Sequence, residues 1–159
     1  MLRVAAVYDS LEDPGVPIPP ETTAIHGITD EMVAGQRIDH AAVAQLVAGT
    51  QYVVAHNAAF DRPFMERRLP LFESLSWACS LQELPWAQEG FEGRKLQYLT
   101  NRLGFFYDGH RSEIDCRALL EVLRRPLPRS GTIAWQRLRA AAAQPSYRIW
   151  ALDSPMETR

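Results

Sequence analysis

Apolar positions fall into short clusters, and their spacing changes along the chain. Val4 to Tyr8 is a brief, partly β-branched run before the turn signal Asp13-Pro14-Gly15, and it predicts a strand. Pro17, Pro19 and Pro20 predict an extended connector, since proline fixes φ and removes a donor. Thr29 to Val33 predicts a capped helical turn ended by Gly35. Asp39 is a good N-cap for a helix with Val43, Leu46 and Val47 on one side, and Gly49 is placed to stop it.

Tyr52 to Ala55 is a compact apolar run, the pattern of a strand buried on both faces. An amphipathic stretch follows, with Phe60, Phe64, Met65 and Leu69 opposite Arg62, Glu66 and Arg67. Ser76 to Ser80 predicts another short strand. Leu96, Leu99 and Leu103 have helical spacing before Gly104. A helix is predicted from Ser112 to Leu123, with Ile114, Ala118, Leu119 and Val122 inward. After Pro126 and Pro128 come a last helix, Ile133 to Ala143, and a last strand, Tyr147 to Leu152. Strands alternating with helices predict an α/β fold with a partly parallel sheet.

The chain has 159 residues, 47% of them apolar, which is enough for one packed core. The net charge of −2 excludes a strongly basic nucleic-acid-coating protein but not an enzyme that meets nucleic acid through metal ions. No run approaches the ~18 apolar residues of a membrane span. The opening apolar stretch is too short for a secretory signal, so a cytoplasmic setting is expected. Cys79 and Cys116 form no CxxC pair, and both are expected to be core residues. Trp77, Trp86, Trp135 and Trp150 are expected to pack rather than stack on bases. Arg124, Arg125 and Arg129 suit a solvated helix end, with contact to a phosphate backbone as the alternative.

Three polar residues stand out: Asp61, His110 and Asp115. Asp61 follows a buried strand, at the sheet edge where α/β folds bind ligands. Pro63 places Asp61 in or next to a first helical turn, so a plain N-cap is an equal reading. Ser112 and Asp115 resemble a weak capping box. On one continuous helix His110 and Asp115 would point about 140° apart, so they converge only if His110 lies in the loop before the helix. Asp108-Gly109 favours that loop. A loop histidine beside a helix-borne carboxylate suits a general base next to a metal ligand.

The run Ala24-Ile25-His26-Gly27-Ile28-Thr29-Asp30-Glu31-Met32 resembles the connector of DnaQ-like (DEDDh) 3′–5′ exonucleases. Ala55-His56-Asn57-Ala58-Ala59-Phe60-Asp61 resembles that family's second motif, and His110-Arg111-Ser112-Glu113-Ile114-Asp115 its third. Order and spacing also match, and the likeness is to the epsilon-like proofreading branch. It covers residues 1–125 as an exonuclease-like domain, with 126–159 as an extension. The resemblance implies a ribonuclease H-like fold and removal of nucleotides from the 3′ ends of single-stranded DNA or RNA. It implies two divalent metals, Mg²⁺ or Mn²⁺, and a DNA polymerase subunit as a further partner. On these positions Asp61 and Asp115 would be metal ligands and His110 the base for the attacking water. Asn57 and Phe60 would line the terminal nucleotide, with His26, Gly27 and Ile28 near its sugar or base.

One departure matters. The family opens with a strand carrying Asp-x-Glu, and this sequence lacks it. Glu21-Thr22-Thr23 has Pro19 where the aspartate would stand. Asp9 and Glu12 are three apart and would face opposite sides of a strand. The first two strands of the family are expected to be missing, through a mis-assigned gene start, a fragment or a degenerate remnant. Two metals bring +4, whereas Asp61 and Asp115 supply −2. An exonuclease and a non-catalytic binding module built on the same fold both remain open, as does a phosphoesterase acting on short oligoribonucleotides.

Overall fold

A two-stranded parallel sheet anchors the architecture. In this computed structural model, which describes residues 2–107, 109 and 111–144, β1 (Val53–Ala55) pairs with β2 (Trp77–Cys79), in register Val53 to Trp77 and Ala55 to Cys79. Parallel strands need a crossover, supplied here by α4 (Ala58–Arg68) and a short 3-10 helix at Pro70–Ser74. Before the sheet come α1 (Pro20–His26), α2 (Asp30–Val33) and α3 (His40–Val47). After it come α5 (Ser80–Glu83), α6 (Leu96–Arg102), α7 (Ser112–Arg124) and α8 (Ala134–Ala142).

The main core lies between β2 and the helices that follow it. Leu99 and Leu138 are wholly buried, joined by Ala78, Trp86, Phe91, Leu119, Val122, Leu123 and Ala134. Leu99 comes from α6, Leu119 and Val122 from α7, and Leu138 from α8, so three helices close on one strand face. The edge-to-face pair of Trp86 and Phe91 fills the far side, at a centroid distance of 5.3 Å. A smaller cluster of Val43, Leu69 and Phe72 seats α3 against the end of α4.

Several sequence expectations change. Val4 to Tyr8 forms no strand, because no neighbouring strand receives its backbone among the described residues, and Val4 and Val7 are exposed. Pro20 begins α1 instead of extending a connector, since the first helical position needs no N–H. β1 is half-buried rather than buried on both faces. Leu46, expected inward, is exposed. Cys116, expected in the core, is also exposed, whereas Cys79 is buried. Asp39 does cap α3, accepting from the N–H groups of Ala41 (2.9 Å) and Ala42 (3.0 Å). Trp77, Trp86 and Trp135 pack against the two apolar clusters. The segment Tyr147 to Leu152, with Trp150, lies outside the described residues.

Candidate active site

The C-terminal end of β1 is held by a polar chain. Ser80 is fully buried, and its hydroxyl lies 2.9 Å from Nδ1 of His56 and 3.3 Å from the carbonyl of Ala55. The other imidazole nitrogen, Nε2, lies 2.8 Å from the carbonyl of Arg94, and Trp86 Nε1 donates to the carbonyl of Ser80. Desolvation holds the His56 pKa below the usual histidine value, although the Arg94 carbonyl and the Asp61 charge pull the other way. A neutral ring must donate from Nε2 to that carbonyl, which leaves Nδ1 to accept from Ser80.

The chain then turns sharply. Asn57 has φ +89°, the one non-glycine residue in the left-handed region among those described. Asparagine tolerates this conformation better than most residues, and such strain concentrates at functional sites. Its carbonyl accepts from Phe60 N–H at 2.8 Å, starting α4. The N-cap position thus belongs to Asn57, and Asp61 stands at the fourth residue of α4, not at the cap. Pro63 is inside the helix.

Asp115 arrives from the other direction, on the first turn of α7. Ser112 is the first residue of that helix, with Arg111 at the cap and no capping side-chain bond, so the capping box does not form. Asp61 and Asp115, 54 residues apart in sequence, line one cavity of about 580 Å³. Its walls include Ala55, His56, Phe60, Phe64, Cys116 and Leu119. That volume suits a small-molecule or nucleotide-sized ligand.

The electrostatics of this cavity are one-sided. Among the described residues no basic side chain pairs with Asp61 or Asp115. The ion pairs run instead from Arg62 to Glu66, Arg68 to Glu12, Arg117 to Glu113 and Arg124 to Glu121. Desolvation raises the Asp61 pKa above the usual carboxylate value. The Cys116 thiol is pushed up as well, first by desolvation and then by the charges of Asp115, Asp61, Glu113 and Asp9. Its sulfur is therefore no activated nucleophile.

His110 lies outside the described residues, so two of the three expected residues are seen, and those two share the cavity. Phe60 lines that cavity, 62% exposed, and its ring packs at a tilt against Phe64, which is 60% exposed, with centroids 5.2 Å apart. His26 and Ile28 line an adjoining cavity of about 680 Å³ with Asp9, Arg111 and Glu113, and Ser112 borders both spaces. Gly27 ends α1 at φ +69°, a left-handed cap suited to glycine, which lets Ile28 N–H reach Nδ1 of His26 at 2.9 Å. Asn57 is exposed, and it forms the turn into α4.

Sequence reasoning passed over Phe64 and Tyr107, and it set aside Asp9, which lines the adjoining cavity. Phe64 was expected to pack. Tyr107, in a stretch assigned only as loop, reaches back to Asp115. Its phenol pKa is pushed up to about 12, first by desolvation and then by the charge of Asp115.

The donors described suit one divalent cation. Two carboxylates without basic partners can hold a Mg²⁺ that keeps several of its waters. They do not suit two, since no group of three or more His, Cys, Asp or Glu among the described residues is placed to hold an ion.

The exonuclease family RNase_T matches residues 3–123, which include both carboxylates. The chain belongs to this exonuclease family. It is 36% identical over 139 residues to a DNA polymerase III subunit epsilon-like protein of Rhodobacter capsulatus, covering 79% of this chain and 19% of that protein. The chain thus spans about a fifth of that relative's length. It is 31% identical over 138 residues to an uncharacterised exonuclease of Escherichia phage 186, covering 74% of this chain and 71% of that one. Among solved structures it is similar to exonuclease X in complex with 5′-overhanging duplex DNA. The TM-score is 0.53 at 27% identity, over 82% of this chain and 78% of the other. The ribonuclease H-like fold expected from the sequence is the fold of this family. No described helix is long and apolar enough to cross a membrane.

Proposed function

We propose that the chain is a metal-dependent 3′–5′ exonuclease of the DEDDh type, hydrolysing phosphodiester bonds at nucleic-acid 3′ ends. The observation that carries this reading is the meeting of Asp61 and Asp115 in one cavity at the end of β1, with no cationic partner for either among the described residues. Asp61 and Asp115 would hold a divalent ion, which would supply positive charge to the scissile phosphate and acidify water. His110, five residues before Asp115, takes the proton from the attacking water. Phe60 and Phe64 offer ring faces to the terminal bases, a sequence-tolerant contact worth about 1–3 kcal/mol per base. Asn57 flanks the terminal nucleotide, and His26, Gly27 and Ile28 border its sugar or base. The likeness to exonuclease X bound to 5′-overhanging duplex DNA supports a DNA end with a recessed 3′ strand as substrate. The epsilon-like relative supports a DNA polymerase subunit as partner, and the cytoplasm is the setting proposed with it.

A second reading, a non-catalytic nucleic-acid-binding module, is favoured by the donor count. Two carboxylates balance one dication, while the two-metal chemistry of this type uses four carboxylates. A general base alone gives about 10²–10⁴-fold, against the 10⁶-fold or more that enzymes reach. The experiment is incubation of the chain with 5′-labelled single-stranded DNA and Mn²⁺, beside Asp115→Ala. Progressive shortening by the chain and none by the variant supports the exonuclease. No shortening by either supports the binding module.

A further inference from the structure

Tyr107 has no part in the reading above, yet its ring borders the same Gly109 as the Asp115 carboxylate. Gly109 shows how close the three are: a Cβ built there would lie 3.2 Å from Cε2 of Tyr107 and 3.4 Å from Oδ1 of Asp115. The tyrosine ring and the carboxylate therefore both border the space beside Gly109, which glycine leaves open between them. We propose that Tyr107 is a positioning residue for Asp115, its phenol donating a hydrogen bond that fixes which carboxylate lone pairs face a divalent cation. This rests on the metal-centred reading above.

The chemistry is complementary. A carboxylate offers about four lone-pair sites, and a phenol has one proton to give. One hydrogen bond therefore orients the group without using it up. Ligating carboxylates are commonly held in this way by an outer partner, whose loss costs about 10–100-fold in metal affinity. Asp115 needs such a partner, because among the described residues no basic side chain holds it. The loop that presents Tyr107 has a fixed base. Phe105 N–H donates to the Thr100 carbonyl at 3.1 Å, and the Phe105 ring lies under the Arg125 guanidinium, 4.9 Å from its centroid.

The test is direct Mn²⁺ binding to the full chain, followed by the spin-resonance signal of free Mn²⁺, with the melting temperature measured in chelator. Tyr107→Phe keeps the ring and removes the donor; Tyr107→Leu removes both. The expected result is Mn²⁺ affinity about 10–100-fold weaker in Tyr107→Phe with the melting temperature unchanged. Wild-type affinity in Tyr107→Phe, with only Tyr107→Leu impaired, reduces the ring to packing and overturns the proposal. Failure of the wild-type chain itself to bind Mn²⁺ overturns the metal-centred reading, and this inference with it. The two failures are told apart by the wild-type titration.

Discussion

The two faces of the sheet region differ in how fully they are satisfied. Behind β2, Leu99 and Leu138 are wholly buried, Ser80 and Thr100 are buried with hydrogen bonds, and three helices interlock. In front of β1, Phe60 and Phe64 stand exposed, the strand is half-buried, and two carboxylates lack cationic partners among the described residues. The first region behaves as a scaffold, because burial has already been converted into stability. The second holds apolar surface and negative charge in reserve for something that binds. Substitutions should therefore divide cleanly: those behind β2 change stability, and those in front change binding and chemistry.

The largest effect should come from Asp115→Ala. Losing a cation ligand removes several kcal/mol of transition-state stabilisation, so Mn²⁺-dependent DNA cleavage should fall by about 10³-fold. Its urea midpoint should stay near wild type. A large stability loss with intact cleavage would reverse the division.

Next comes Leu138→Ala, which empties a fully buried site. It should cost about 2–5 kcal/mol in urea unfolding and leave single-strand affinity unchanged. Phe60→Ala should do the opposite. Its ring is already in solvent, so stability should hold. Affinity for single-stranded DNA should drop by about 1–3 kcal/mol, measured by fluorescence anisotropy.

The smallest effect concerns pH. Burial lowers the His56 pKa below its usual 6.5, so the unfolded state takes up the proton first as pH falls. Stability from neutral His56 is complete above pH 6.5 and is lost progressively as pH drops from there toward the folded-state pKa. The melting temperature should sag across that window, and His56→Gln should flatten the sag. An unchanged pH profile in the variant would place the His56 network elsewhere in the balance.

Much of the scaffold was readable from residue spacing, because a helix in contact with one core repeats its apolar positions. Leu99, Leu119 and Val122 are examples, and Asp39 announced α3 by its capping chemistry. The errors share a cause. Val4 to Tyr8 has the composition of a strand, but a strand needs a neighbour, and composition does not reveal one. Phe64 and Leu46 fit the apolar period of their helices, yet the period says only which residues share a face, not whether anything covers it. Asp61 and Asp115, which line one cavity, were singled out through motif order. Tyr107 was missed, since a contact made by a loop side chain leaves no periodic trace. Asn57 was named as a substrate contact, but its left-handed turn into α4 depends on what surrounds it as much as on its identity.

The central claim is that Asp61 and Asp115 grip the same ion. A double-mutant cycle on Mn²⁺ affinity, with Asp61→Asn, Asp115→Asn and the pair together, tests it most directly. A shared ion predicts that each single change removes most of the binding and the second adds little. Two independent, fully additive losses, or no Mn²⁺ binding by the unaltered chain, would contradict it.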